Sequence, residues 1–452
     1  MFQKRKTEKR KTITEYIIDE SIKIAESVGS WWLTVIFLIV IGWLVGLQQQ
    51  DILIQFYVPL TYTIFLSMFY SAPINGLLAG YLSDQIFVDN YRPVLANLSG
   101  ALLFSLPIIF ILTFLLCVSF SHKSIGFAVI FAAMTVSLSA VWITNNVMAI
   151  LKLGRVAFIT FSLGVIFSFA LNLITMRVFG LEGIFIALML GFGAIAFIQY
   201  GYIVKGFYRG KVNISFTFLG RNPGALSKMS FFIFFNLALW IDKIVYWFMP
   251  QTSYQLDPLF RYSDYDYPFF VAFTIFSFSQ FLTMRRLQEL IKVPYAQFTD
   301  ALFYNFPFSR LDEGKYNLIL GYRKIFYSLV LVYGAIILMI LFSISVGMIR
   351  LPWQNEYSFY LLLMSTLFLG IFLLNLLILQ YMNQYKLLTW LCIWFFIFSG
   401  GFSILIIQLE LPYDGLAFFI ASMMSFLISS YYIDSLLGHW ENVVIKGISD
   451  NF

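Results

Sequence analysis

The chain has 452 residues, of which 60% are hydrophobic and only 12% charged, with a mean hydropathy of +0.83 and a net charge of +6. A soluble domain carries about 25% charged residues, so the composition excludes an ordinary soluble enzyme or binding domain and indicates a polytopic membrane protein. The two cysteines, Cys117 and Cys392, lie far apart in apolar stretches, which excludes a disulfide framework; the two histidines, His122 and His439, lack metal-ligand spacing.

In chain order, residues 1–30 open with a basic cluster from Lys4 to Lys11. Ile13, Ile17, Ile24 and Val28 then recur at helical spacing. This pattern predicts an interfacial amphipathic helix beside anionic headgroups, with a partner-docking helix as the alternative. No cleavable signal peptide is expected, because the next apolar run is long enough to span.

A span needs about 20 mostly apolar residues. Twelve stretches qualify: 31–47, 56–80, 97–120, 125–150, 156–176, 181–204, 230–250, 268–284, 325–347, 357–381, 387–408 and 415–437. Of the 29 lysines and arginines, 24 fall on the N-terminal side of the membrane and four opposite, with Lys243 inside a span. The positive-inside rule then places both termini in the cytoplasm. The opposite connections are acidic, with Asp51, Glu182, Asp257, Asp264, Asp266, Glu356, Glu410 and Asp414.

The Gly/Pro-bearing segment 207–229 falls at the midpoint and reads as a linker. It would join a six-helix lobe at 31–206 to a second at 230–437, a parallel repeat inferred from the count alone. A long cytoplasmic loop at 285–324 is a docking platform or a solvated connector, and 438–452 a cytoplasmic tail. The predicted fold is therefore an all-α polytopic membrane protein of about twelve helices in two lobes around a central cavity.

The seventh span holds Asp242 and Lys243, charges that cost roughly 2.5–3.5 kcal/mol each in a membrane. Adjacent helical residues point about 100° apart, so each needs its own partner. Lys243 shares a face with Trp240 and Trp247, where an ammonium can lie over an indole. Asp242 shares one with Tyr246, whose phenol can donate to the carboxylate. Two readings stand: a salt bridge holding the halves in register, or contact with substrate or a coupling ion. Asn75, within Pro73-Ile74-Asn75-Gly76, marks a loosened second span, either a moving bend or a static kink. Asn145 and Asn146 are interhelical glue or ligand contacts. Arg177 either snorkels to the interface, pairs with Glu182 or meets an anionic substrate group. Asp84 is expected at the cytoplasmic surface.

No G-x-x-x-x-G-K-S/T phosphate loop, catalytic triad pattern or metal constellation occurs. The reading is therefore of a non-enzyme without cofactor, metal or nucleic-acid partner.

Trp240-x-Asp242-Lys243-x-x-x-Trp247, Pro250 and Tyr265-Asp266-Tyr267-Pro268-Phe269-Phe270-Val271-Ala272 resemble the PelG family of exopolysaccharide exporters. Pro73-Ile74 with Tyr81-Leu82-Ser83-Asp84-Gln85-Ile86-Phe87 is a weaker match, since that family more often has Arg at the position of Gln85. The basic run Met1 to Lys11 departs from the family's usual Gly-Phe-Glu-Leu-Arg-like start. The resemblance implies the multidrug, oligosaccharide-lipid and polysaccharide (MOP) flippase superfamily and two lobes around a cavity alternately open to either side. It also implies a cytoplasmic glycosyltransferase and other Pel membrane proteins as partners, among them a cyclic-di-GMP receptor in many systems. The cargo would be a cationic, partly deacetylated polymer rich in N-acetylgalactosamine, built into a biofilm matrix. The expected function is export of such a polymer across the cytoplasmic membrane. Asp242, Lys243, Trp240, Tyr246 and Trp247 are the leading cavity residues, followed by Asn75, Asn145, Asn146 and Arg177. The rivals are a lipid-linked oligosaccharide flippase or cation-coupled multidrug antiporter, and a non-transporting scaffold for a polysaccharide synthase.

Overall fold

The computed structural model describes residues 50–120, 125–207, 214–220, 224–256, 259–287, 308–348 and 356–438, with short pieces between 290 and 298. The expected amphipathic helix, the first span at 31–47, His122 and residues 439–452 lie outside the described residues.

The described chain is almost wholly helical, because backbone crossing a bilayer must satisfy its own hydrogen bonds. The helices are α1 (Gln50–Phe87), α2 (Pro93–Phe120), α3 (Ile125–Ile150), α4 (Gly154–Phe207) and α5 (Ala225–Phe248), then α6 (Ser263–Leu287), α7 (Phe308–Ser345), α8 (Glu356–Tyr381), α9 (Tyr385–Gln408) and α10 (Leu416–Gly438). Among the described residues nine helices, all but α6, are long and apolar enough to cross a membrane.

α4 runs for 54 residues. Straight, it would be about 80 Å long at 1.5 Å per residue, far more than a membrane's thickness. It turns at Gly180, whose φ of 58° and ψ of −133° only glycine adopts without strain. The Thr175 hydroxyl donates to the Gly183 carbonyl at 2.7 Å across the turn. The spans predicted at 156–176 and 181–204 are thus the two legs of α4. α1, by contrast, stays one helix through Pro59 and Pro73.

The packing repeats. In the first half α1, α2 and α4 rest on α3; in the second, α6, α7 and α10 rest on α8. Each hub carries a buried polar clamp. The Thr144 hydroxyl donates to Gln199 Oε1 at 2.7 Å, and Gln199 Nε2 donates to Asn145 at 2.7 Å and Thr160 at 3.2 Å. Asn375 Nδ2 donates to Ser429 at 2.9 Å and Ser430 at 3.1 Å, while Tyr322 donates to Asn375 Oδ1 at 3.0 Å. Both clamps join residues 54 and 55 apart. An apolar environment gives these groups few other partners, and such interhelical bonds contribute on the order of 0.6–2 kcal/mol each.

One apolar cluster runs from Phe231 to Leu437, and two others fill the first half, one of which also takes in Trp247 and Leu259. α1 and α5 join the halves. At Gly76 a Cβ would meet the Phe232 ring at 2.8 Å and the Lys228 carbonyl oxygen at 3.2 Å, so that crossing needs glycine. The linker is not a loose connector where it is described. Ser215 N–H donates to the Ala96 carbonyl, and Asn97 Oδ1 accepts from Thr217 Oγ1 and Phe218 N–H. Phe218 is thereby buried.

The all-α expectation has one exception, a small antiparallel hairpin of β1 (Tyr254–Leu256) and β2 (Leu259–Arg261). It lies between α5 and α6. α6 also begins earlier than the span predicted at 268, so Asp264 and Asp266 sit in a helix's first turn, where the dipole favours carboxylates.

Candidate functional site

α5 buries Leu239, Asp242, Lys243, Tyr246 and Trp247 along one stripe at helical i, i+3, i+4 and i+7 spacing. Both members of the charged pair face inward: Asp242 is fully buried and Lys243 is 4% exposed. Pro250 follows the helix end, and the Thr252 hydroxyl donates to the Tyr246 carbonyl at 2.7 Å.

The two charges have separate partners. Tyr265, in the first turn of α6, donates its hydroxyl to Asp242 Oδ2. Asp242 Oδ1 is buried with no hydrogen-bond partner among the described residues. The Lys243 ammonium lies 3.7 Å from the Phe269 ring centroid and 4.4 Å from that of Trp240. Asp266 and Asp242 supply the negative charge that acts on it. A desolvated cation over aromatic faces gains about 2 kcal/mol, too little to offset burial without those carboxylates.

Two pairings expected from spacing are corrected. Tyr246 does not serve Asp242; its hydroxyl donates to the Asp414 backbone carbonyl at 2.6 Å. Tyr265, reaching across from α6, takes that place. Trp247 does not cover Lys243 either. Its indole N–H is shared between the Asp266 carboxylate oxygens at 3.1 and 3.0 Å, and its ring stacks on Tyr62 of α1 at 4.5 Å.

Further residues complete the site. Asp266 Oδ2 accepts from the Tyr262 N–H at 3.2 Å, and the Tyr262 hydroxyl donates to Asp414 Oδ2 at 3.1 Å. Burial and the nearby Asp414 carboxylate push the Tyr262 phenol up from its ordinary value, keeping it a donor. Tyr262, Tyr246 and Tyr265 form a continuous set of rings, with neighbouring centroids 5.4 and 4.5 Å apart. The result is a largely buried cluster of carboxylates, one ammonium and packed rings that draws on α1, α5, α6 and the α9–α10 connection, with Trp240, Tyr262 and Asp266 half-buried.

The other sequence candidates do not join it. Asn146 Nδ2 donates to the Asn75 carbonyl at 3.1 Å, tying α3 to α1. Asn145 belongs to the Gln199 clamp. Arg177 is exposed beside the turn at Gly180, and Asp84 is exposed near the end of α1. Tyr62, Tyr262, Asp266, Phe269 and Asp414 escape sequence reasoning as site members. Asp266 and Asp414 resemble loop acids; the Tyr-Asp-Tyr-Pro segment after the seventh span signals Asp266, and no motif signals Asp414.

The fold is that of MOP-superfamily transporters. A multidrug-resistance MATE-family transporter in an outward-facing conformation matches with a TM-score of 0.60 at 11% identity, over 96% of this chain and 98% of that one. A MOP-superfamily transporter from Pyrococcus furiosus, described as having a binding pocket of reverse polarity, matches with a TM-score of 0.57 at 13% identity, over 94% and 96%. A MATE structure in the bent conformation gives 0.55 at 13% identity, over 93% and 94%. No curated protein matches the sequence. Within that fold the family is narrower: residues 19–444 match the model of the PelG exopolysaccharide exporter (EPS-E) family. The chain belongs to that family, and is a membrane transporter.

Proposed function

We propose that this protein moves a growing Pel-type hexosamine polymer across the cytoplasmic membrane, for a biofilm matrix, through a cavity between two lobes. The family match over residues 19–444 carries this reading. In it, residues 1–30 lie on the membrane, 31–206 and 230–437 are the lobes, 207–229 joins them, and 438–452 is a tail. Both termini are cytoplasmic, which puts the hairpin and the Asp242–Lys243 cluster toward the outer face. The repeated packing on α3 and α8 supports the lobes, and charge bias supports the orientation.

In this reading Asp242 Oδ1 accepts from sugar hydroxyl or amino groups, and the Lys243 ammonium donates to sugar hydroxyl or amide oxygens. Trp240 and the tyrosines offer ring faces. A cytoplasmic glycosyltransferase supplies the polymer, and other Pel membrane proteins assist.

The test is complementation. Cells lacking this chain should lose secreted amino-sugar polymer and regain it when the chain is restored together with an active glycosyltransferase. Ion-driven depletion of a cationic dye by vesicles holding this chain alone would instead mark a drug antiporter. Polymer secretion undiminished without the chain would refute this reading and leave another cargo, and loss on deletion with normal secretion from Asp242→Asn and Lys243→Gln would leave the scaffold.

A further inference from the structure

In sequence Asp266 stands among the acids of an outer connection, yet in the fold Trp247 donates to both its oxygens and the Tyr262 N–H donates to Oδ2. Lys243 precedes Trp247 by one turn of α5, and its ammonium lies 3.7 Å from the ring centroid of Phe269, one turn after Asp266 on α6. The two helix faces that join Trp247 to Asp266 therefore also carry the charged pair's cation.

The same contact meets a seal between the halves. Trp247 is stacked on Tyr62 of α1, with rings inclined by only 20°. The Tyr62 hydroxyl donates to the Phe260 carbonyl of β2 at 3.1 Å. Leu259, in the same strand, is 3% exposed and buried in the apolar cluster formed with α1, α3 and α4. The hairpin is carried by α5 and α6, so it is fastened across to the opposite half. Separation of the halves at this end has to break the Tyr62–Trp247 stack and uncover Leu259.

We propose that Asp266 is a positioning residue that couples occupancy of the Asp242–Lys243 site to this seal. With the site empty, the Lys243 ammonium rests over Phe269, one turn beyond Asp266 on α6, and Asp266 holds Trp247 against Tyr62. A ligand that donates a hydroxyl or amine N–H to Asp242 Oδ1 and accepts from the Lys243 ammonium with a hydroxyl or amide oxygen draws that cation away. Asp266 then loosens its grip on the indole, and the hairpin is free to lift. This inference rests on the transport reading for what passes through the opening, but not for the coupling itself.

The test uses the full chain in its native membrane, with Cys117→Ala and Cys392→Ala and a reporter Leu259→Cys labelled from outside by a membrane-impermeant maleimide. Asp266→Asn keeps an oxygen that can accept from the indole but removes the charge. It should speed labelling about fivefold or more, the factor expected when a charge-assisted bond becomes a neutral one. Lys243→Gln and Trp247→Phe should do the same, the latter keeping the ring stack while losing the N–H. These two variants carry the test if Asp266→Asn fails to accumulate. Labelling that stays as slow as in the parent with Asp266→Asn and Lys243→Gln would reduce Asp266 to a plain hydrogen-bond acceptor and overturn the proposal. Labelling does not require export: a chain that responds as stated but secretes no polymer refutes the export reading and leaves the coupling standing. A chain that exports normally with unresponsive labelling refutes the coupling alone.

Discussion

Replacing Tyr265 with Phe removes one oxygen from a fully buried ring and leaves Asp242 with neither carboxylate oxygen hydrogen-bonded among the described residues. A hydrogen bond to a charged group contributes about 1.5–3 kcal/mol, whereas one to a neutral carbonyl contributes about 1 kcal/mol. Tyr246→Phe is the matched control. Its ring is equally buried and stacks on Tyr265, but its hydroxyl serves the Asp414 backbone carbonyl. Tyr265→Phe should therefore destabilise the protein by about 1–2 kcal/mol more than Tyr246→Phe. The assay is reversible unfolding by SDS titration in mixed micelles of the wild type, both single variants, Asp242→Asn and the Tyr265→Phe/Asp242→Asn double variant. The double-mutant cycle should give a coupling of about 1 kcal/mol or more between Tyr265 and Asp242. Equal losses for the two tyrosines, or additive single variants, would refute the claim that Tyr265 is the group that stabilises the buried carboxylate.

Other perturbations have equally definite outcomes. Gln199→Leu removes the partner of Thr144, Asn145 and Thr160 at once, and should cost about 2–4 kcal/mol in the same titration, at roughly 0.6–2 kcal/mol per interhelical bond. Asn375→Leu should cost a similar amount, because it loses Ser429, Ser430 and Tyr322 in the matching clamp. Gly180→Ala meets no atom within 4 Å, so its loss of about 1–3 kcal/mol reflects backbone strain alone; an unchanged midpoint would mean that the turn adopts other angles. Gly76→Val drives a side chain into Phe232 and the Lys228 backbone, and should lower the yield of folded protein in fluorescence-detected size-exclusion chromatography, with a penalty of about 1–3 kcal/mol or more.

The apolar spans were readable because a bilayer demands long helices of narrow composition, and the described helices from α1 to α10 fall on eleven of the twelve stretches read from the sequence. The charged pair was equally visible, since two ionisable residues among Trp240, Tyr246 and Trp247 have no ordinary reason to be there. Their partners were legible only in part. Helical spacing relates residues on one helix: it nominated Trp240, which does lie against the Lys243 ammonium, but also Tyr246 and Trp247, in whose place Tyr265 and Phe269 on α6 make the contacts. Tyr265 and Asp266 were quoted as a motif but assigned to a connection, because α6 is the least apolar of the helices and its start carries acids. Asp414 shows the same difficulty: its neighbours Pro412 and Gly415 read as a loop, and only the closed fold buries it against Tyr246 and Tyr262. The likeness of the two polar clamps was also hidden. Thr144, Asn145 and Gln199 do not resemble Asn375, Ser429 and Ser430 as letters, yet the two sets occupy matching positions and do the same job.

The central claim is that the buried pair handles cargo as well as holding helices together. The most direct measurement is secreted amino-sugar polymer from cells whose only copy carries Asp242→Asn or Lys243→Gln, at matched membrane levels and with the glycosyltransferase still co-purifying. The account predicts that polymer falls at least tenfold, equivalent to about 1.4 kcal/mol on the rate-limiting barrier, while assembly is unchanged. Export at wild-type levels in both variants would contradict it.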